Sequence, residues 1–285
     1  MAVQPKSAVP PGIGAGGYQP RAAGRWQRFD QWWLLLAAAI LLVAFLVIAV
    51  PEPYQRIFLF LLDGVVVTLR LTIVSFLCIL VVGMIGGLGR VSSSRILSGL
   101  ASLYVEVVRG IPVLVWLLWI WFALPQVFQA VGKALLGVSP ELGAAIMDIK
   151  LGEYTAAITG FTFAYGAYMT EVFRAGIQSI AKGQMEAARS LGMNYLQAMR
   201  YIILPQAVRV ILPPVSNEFV TLLKDSSLVS ILAVSDLTRR GREFVAKSFL
   251  SFDTFTMVAL IYLILTVFFT RVSTGIERRL SVEKR

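Results

Sequence analysis

Glu186-Ala187-Ala188-Arg189-Ser190-Leu191-Gly192, then nine residues, then Ile202-Ile203-Leu204-Pro205 form a polar stretch between two long apolar runs. Glu186 to Leu191 are good helix formers, and Gly192 can end such a helix in the left-handed conformation. A short helix held across a loop is suited to docking in a partner's groove as a rigid lever. An ordinary amphipathic connector is the alternative for the same residues.

Outward from this loop the chain reads as a series of membrane spans. Upstream lies Tyr154 to Ile180, which holds Glu171 and Arg174, and downstream lies Ala207 to Leu223, which Pro213-Pro214 is expected to break. Further spans are predicted at Trp32 to Val50, Gly64 to Leu88, Leu103 to Leu124 and Thr254 to Thr270. Trp32 to Val50 would extend about 28 Å as a helix, close to a bilayer core. A signal peptide competes there, but the preceding tail is long and no small-residue cleavage pattern follows. Gly83 and Gly87 make a small-xxx-small face for close helix approach. Pro125 to Glu153 reads as a long outer connection, residues 1–30 as a flexible basic tail, and 272–285 as a second basic tail.

Composition agrees with a membrane protein. Of 285 residues 57% are hydrophobic and 15% charged, with a mean hydropathy of +0.75, whereas a soluble domain carries about 25% charged residues. The chain has 26 Lys and Arg against 16 Asp and Glu. In so apolar a chain this excess points to cytoplasmic loops facing anionic lipid rather than to nucleic acid. With both termini in the cytoplasm, 16 basic residues fall inside and 7 outside, as the positive-inside rule prefers. Arg239 to Lys247 is the exception and is expected to be an amphipathic outer segment. Histidine is absent and Cys78 is the single cysteine, so neither a structural metal site nor an intramolecular disulfide is expected. No G-x-x-x-x-G-K-[ST] loop occurs, so any ATP is bound, with its Mg, by another chain.

The stretch from Glu186 to Pro205 matches the E-A-A-x-x-x-G-x(9)-I-x-L-P loop of ABC importer permeases. Gly64-Val65-Val66-Val67-Thr68-Leu69, Tyr104 to Pro112, Gly166 to Ile177, Gly183-Gln184, Leu204-Pro205-Gln206-Ala207, Leu212-Pro213 and Lys224-Asp225-Ser226-Ser227-Leu228 extend the likeness. Together they resemble the permeases of polar amino acid ABC importers, the histidine, arginine, glutamine and glutamate group, over residues 64–271. The resemblance implies an all-α, type I importer transmembrane domain with five core helices. Residues 31–63 would add one N-terminal span and an outer loop, about six spans in all. It also implies a second permease subunit (the same or a related chain), an ABC ATPase homodimer beneath, and an extracytoplasmic amino-acid-binding protein above. The setting would be the bacterial cytoplasmic (inner) membrane. Glu186, Ala187, Ala188, Gly192, Leu204 and Pro205 would couple the pathway to the ATPase. Another small polar solute, such as an opine or an amino acid derivative, is the alternative cargo.

Ionisable side chains at membrane depth cost about 2.5–3.5 kcal/mol or more, so each calls for a partner or a task. Glu171 and Arg174 lie one turn apart, so Glu171 is either half of an internal ion pair or the acceptor of a substrate ammonium. Ser216, Asn217, Glu218 and Thr221 follow the proline pair, with Asn217 and Thr221 on one helix face. The expected pathway residues are Tyr168, Glu171, Ser216, Asn217 and Thr221. An intramembrane enzyme would need a nucleophile with a base, paired carboxylates or a metal motif, and none is recognisable. A secondary transporter would show an internal repeat and would leave the Glu186 loop unexplained.

Overall fold

A computed structural model describes residues 31–281, with side chains over 32–278. The predicted tail at 1–30 and the end of the C-terminal tail lie outside them. All described elements are helical. α1 (Gln31–Ala49) coincides with the first predicted span, and α2 (Pro51–Arg90) begins almost at once. The second span is thus longer than the predicted Gly64 to Leu88, and no outer loop separates it from α1. The reason is a continuous stripe of buried residues, Ile57, Leu61, Gly64, Thr68, Leu71, Ser75, Ile79, Gly83 and Gly87, spaced by three and four. Ile57 and Leu61 pack with Val43, Leu237, Met257 and Ile261, which holds the extra turns in the helix.

The third span is also displaced. α3 (Arg95–Arg109) ends at Gly110-Ile111-Pro112, and a new helical rod starts at Val113, so the predicted Leu103 to Leu124 span is divided between two helices. The Pro112 ring and its missing N–H prevent α3 from continuing. Trp116 Nε1 donates to the Val108 carbonyl at 3.1 Å and staples the break. Glu106 and Arg109 therefore sit at the end of α3 and not at the start of a span. The rod consists of α4 (Val113–Leu118), a π turn (Trp119–Ala123) and α5 (Leu124–Leu135). Pro125 to Glu153, predicted as a connection, is largely helix, because α6 (Pro140–Met147) folds back on α5. A Cβ on Gly132 would lie 2.4 Å from Met147 Cγ, and one on Gly143 2.8 Å from the Gly132 carbonyl, so the hairpin crosses backbone to backbone.

α7 (Glu153–Gln178) is the centre of the bundle. It runs parallel to α2, with Gly83 against Met169 and Gly87 against Phe173, so the small-residue face is a helix-packing surface. α8 (Lys182–Ser190) and α9 (Tyr195–Ala198) follow, then a second π turn (Met199–Ile203) and α10 (Leu204–Asp225). Both π turns precede a Leu-Pro pair: Leu124 N–H reaches the Trp119 carbonyl and Leu204 N–H the Met199 carbonyl. Proline lacks an N–H and crowds the carbonyl four residues back, which favours the wider turn. α10 continues through Pro213-Pro214 without the predicted break. The two prolines withhold two N–H donors from the helix ladder without ending the helix.

A 3₁₀ turn (Ser226–Leu232), α11 (Leu237–Ser248) and α12 (Ser251–Ser281) complete the chain, and α12 exceeds the predicted Thr254 to Thr270 at both ends. Asp236 caps α11, accepting from the N–H groups of Thr238 and Arg239 at 3.0 and 3.1 Å. Burial raises its carboxyl pKa, against the lowering by those two bonds. The basic segment Arg239 to Lys247 is partly neutralised locally: Arg239 and Arg240 pair with Glu243, and Arg240 also reaches Asp63 on α2 at 3.1 Å. Its exception to the charge asymmetry is thus reduced, with Arg242 on the Ser230 carbonyl and Lys247 over the Phe60 ring.

Among the described residues, four helices are long and apolar enough to cross a membrane: Trp32–Ala49, Pro51–Arg90, Val113–Leu135 and Ser251–Arg278. α7 and α10, at 26 and 22 residues, have the length but carry more Gly, Thr, Tyr, Pro and charge. They form the interior, where close approach and polarity are tolerated. Leu41, Phe45, Ile48, Leu59, Ile85 and Leu88 are exposed on the outer helices, as expected of side chains that face lipid tails.

Candidate functional site

The loop after α7 is an ordered helical pair. α8 ends in a Schellman motif: Met193 N–H bonds the Ala188 carbonyl at 3.2 Å and Gly192 N–H the Arg189 carbonyl at 3.0 Å. Gly192 has φ +84°, the left-handed value expected from the sequence, and nothing crowds the place of a Cβ there. The glycine is required by backbone angle alone. α9 opens with a capping box between Asn194 and Gln197. Ala188 and Ala198 are buried, whereas Leu191 is 81% and Leu196 76% exposed. Glu186 and Ala187 are exposed on α8, and Leu204-Pro205 start α10 just after the π turn. The six loop residues are thus gathered in one small unit with an apolar outer edge.

Two cavities of about 430 Å³ each adjoin, sharing three lining residues. Arg90, Val105, Glu106 and Gly110 line one; Val172, Gly176, Val210, Pro214 and Glu218 line the other; Arg109, Tyr168 and Glu171 line both. The Glu171 carboxylate is held from two helices. Arg90 Nη1, at the end of α2, donates to Oε2 at 2.9 Å, Arg174 Nε donates to the same oxygen at 2.9 Å, and Arg174 Nη2 donates to Oε1. Arg109 lies over the Tyr168 ring, its guanidinium carbon 5.1 Å from the centroid.

Tyr168 and Glu171, two of the five residues expected to line a pathway, lie side by side at both cavities. Ser216, Asn217 and Thr221 do not line either cavity. Thr221 donates to the Asn217 carbonyl along α10, and Asn217 is exposed. One residue of helical rotation decides this: Pro214 and Glu218, four apart, share the cavity face, and Asn217 points aside. Glu218 and Arg109 are the cavity residues that the expected set omitted. The signal for Glu218 was a carboxylate four residues after a proline in an apolar helix. For Arg109 it was a cation immediately before the Gly-Ile-Pro break. Among the described residues no cluster of His, Cys, Asp and Glu could hold a metal ion.

An all-helical bundle of long apolar helices, with charged residues gathered at two adjoining open cavities, fits a multi-span membrane transport protein. The chain belongs to the family described as "Binding-protein-dependent transport system inner membrane component", whose model matches residues 64–282. It is similar to the glutamine transport system permease protein GlnP of Escherichia coli (strain K12), with 32% identity over 222 residues, 78% of this chain and 93% of that one. It is likewise similar to the arginine transport system permease protein ArtQ of Bacillus subtilis (strain 168), with 32% identity over 221 residues, 78% and 92% of the two chains. Among solved structures, a crystal structure of an amino acid ABC transporter with histidines matches at a TM-score of 0.66 and 33% identity, covering 79% of this chain and 96% of that one. The MetNI methionine ABC transporter matches in fold, at a TM-score of 0.60 and 20% identity over 80% and 99% of the chains. The type I importer fold expected from the sequence is the fold observed. As a component of a transport system, the protein is not itself a catalyst.

Proposed function

We propose that this chain is the permease subunit through which a polar L-amino acid enters the cell, driven by ATP hydrolysis on a separate ABC ATPase. The reading rests on relatives named for glutamine and arginine transport, and on one observation in this chain. That observation is the ordered helical pair at 182–203, which follows α7 and leads into α10, with Leu191 and Leu196 exposed. The pair is anchored by the buried Ala188 and Ala198 and continues directly into α10, which bears Glu218, so a displacement of the pair would be passed to that helix. ATP and Mg belong to the ATPase, and this chain needs no cofactor. A second permease, the same or a related chain, would complete the pathway, and both termini would lie in the cytoplasm of a bacterium.

The outer partner is an amino-acid-binding protein. The α5–α6 hairpin supports this assignment, since its chief contacts are internal and Val138 and Leu142 stand 84% and 60% exposed near its turn. The named relatives favour a free amino acid over an opine or another derivative. Uptake by reconstituted vesicles containing the permease, its ATPase and the binding protein, measured for each of the twenty amino acids and one opine, tests the assignment. ATP-dependent accumulation of at least one polar amino acid is expected; accumulation of the opine alone, or of nothing, overturns it.

A further inference from the structure

Three arginines border the two cavities or their shared carboxylate, and their surroundings differ. Arg90 and Arg174 both converge on Glu171, so their charges are largely taken up by one carboxylate with both oxygens engaged. Arg109 makes no such direct pair: among the described residues no carboxylate lies within salt-bridge distance of its guanidinium, and Glu171 and Glu218 act on it only through space. Its contact is the face of Tyr168, and it lines both cavities at the point where they join. Glu106, one turn earlier on α3, and Glu171 line the same space without pairing with it. The backbone fixes its position, because α3 stops at Arg109 and Pro112 starts the next helix. A side chain at such a terminus is aimed into the cavity by a rigid break.

We infer that Arg109, laid on Tyr168, receives the α-carboxylate of the cargo as it passes between the two cavities. The inference rests on the proposed function above and adds to it the residue that recognises the group common to all amino acids. A carboxylate leaving water needs a cation, and a planar guanidinium meets it with two parallel N–H donors. The cation–π contact with the Tyr168 ring holds the guanidinium in place and leaves its N–H donors free of any carboxylate pair. An arginine already committed to Glu171 offers fewer donors and less net charge. Glu218 lines the second cavity together with Arg109 and offers a carboxylate to the ammonium of a bound zwitterion. A single contact to the carboxylate, repeated for every cargo, also permits release.

The test compares an acid with its amide. Vesicles carrying the whole complex receive an equimolar mixture of the twenty L-amino acids and their α-carboxamides, and the lumen is analysed by mass spectrometry. The ratio of acid to amide taken up does not depend on how much complex is recovered. The wild type is expected to prefer the acid by at least about tenfold, the worth of one charge-assisted pair. Arg109→Gln is expected to bring that ratio close to one, and Arg109→Lys to restore part of it, since charge remains and the fork is lost. Tyr168→Leu is expected to lower the ratio less than Arg109→Gln. An Arg109→Gln complex that keeps the wild-type ratio overturns the inference, as does a wild type that takes up acids and amides equally. Wild-type vesicles that accumulate no amino acid overturn the proposed function instead.

Discussion

Arg90 and Glu171, 81 residues apart, join the end of α2 to the middle of α7 through a 2.9 Å ion pair, and Arg174 closes on the same carboxylate. One carboxylate thus compensates two cations whose side chains are only 20% and 26% exposed. Glu171→Gln leaves both cations poorly compensated, at a cost of about 1–3 kcal/mol. The expected outcome is a lower yield of assembled complex and a lower midpoint in thermal unfolding. Arg174→Met alone should not rescue Glu171→Gln, because Arg90 remains. Normal yield and normal unfolding of Glu171→Gln would show that the pair carries no structural weight.

Gly192 serves by its backbone angle. With φ at +84° and open space around it, Gly192→Ala should cost about 1 kcal/mol and Gly192→Asn less. Gly192→Pro cannot adopt a positive φ and should separate ATP hydrolysis from uptake, while the protein still inserts. Glu186→Lys should do the same by reversing charge on the exposed face of α8. The measurement is the number of ATP molecules hydrolysed per amino acid taken up. Wild-type ratios in both variants would remove the loop from coupling.

Gly83 presses on Met169, and a Cβ there would lie 2.4 Å from Met169 Cγ, whereas Gly99 has nothing within 4 Å. Gly83→Val should therefore separate α2 from α7 and destabilise by about 1–3 kcal/mol. Gly99→Ala should be neutral or slightly stabilising, because it only restricts the unfolded chain. Thermal unfolding in detergent distinguishes the two. Equal effects would mean that the α2–α7 contact is looser than its geometry.

Labelling checks the orientation of the bundle. Single cysteines at the exposed Ala144 and Gln197, on a Cys78→Ala background, sit on α6 and α9 respectively. An impermeant thiol reagent should modify the Ala144 site in intact cells and the Gln197 site only after the membrane is opened. The opposite pattern inverts the proposed topology.

The hairpin α5–α6 is the last prediction. Val138→Asn with Leu142→Asn should weaken docking of the binding protein by about tenfold and leave hydrolysis by the complex without binding protein unchanged. Surface plasmon resonance against the immobilised complex reads the first effect and phosphate release the second. Unaltered docking assigns those side chains to the lipid surface.

The chain by itself determined its membrane character, the helical pair at 182–203 and the left-handed turn at Gly192. Hydrophobic run length, helix propensity and the conformational freedom of glycine act over a few residues and need no distant partner. Tertiary structure decided where spans begin and which polar residues face inward. The start of α2 at Pro51 follows from the packing of Ile57 and Leu61 on α11 and α12, contacts separated by some 200 residues that no local pattern records. The choice of Glu218 over Asn217 at the cavity is a rotation of α10 about its axis, fixed by the burial of Ala207, Ile211, Val220 and Leu222 against its neighbours. The same packing brings Arg90 from α2 to Glu171 and leaves Arg109 on the face of Tyr168, without a direct ion pair.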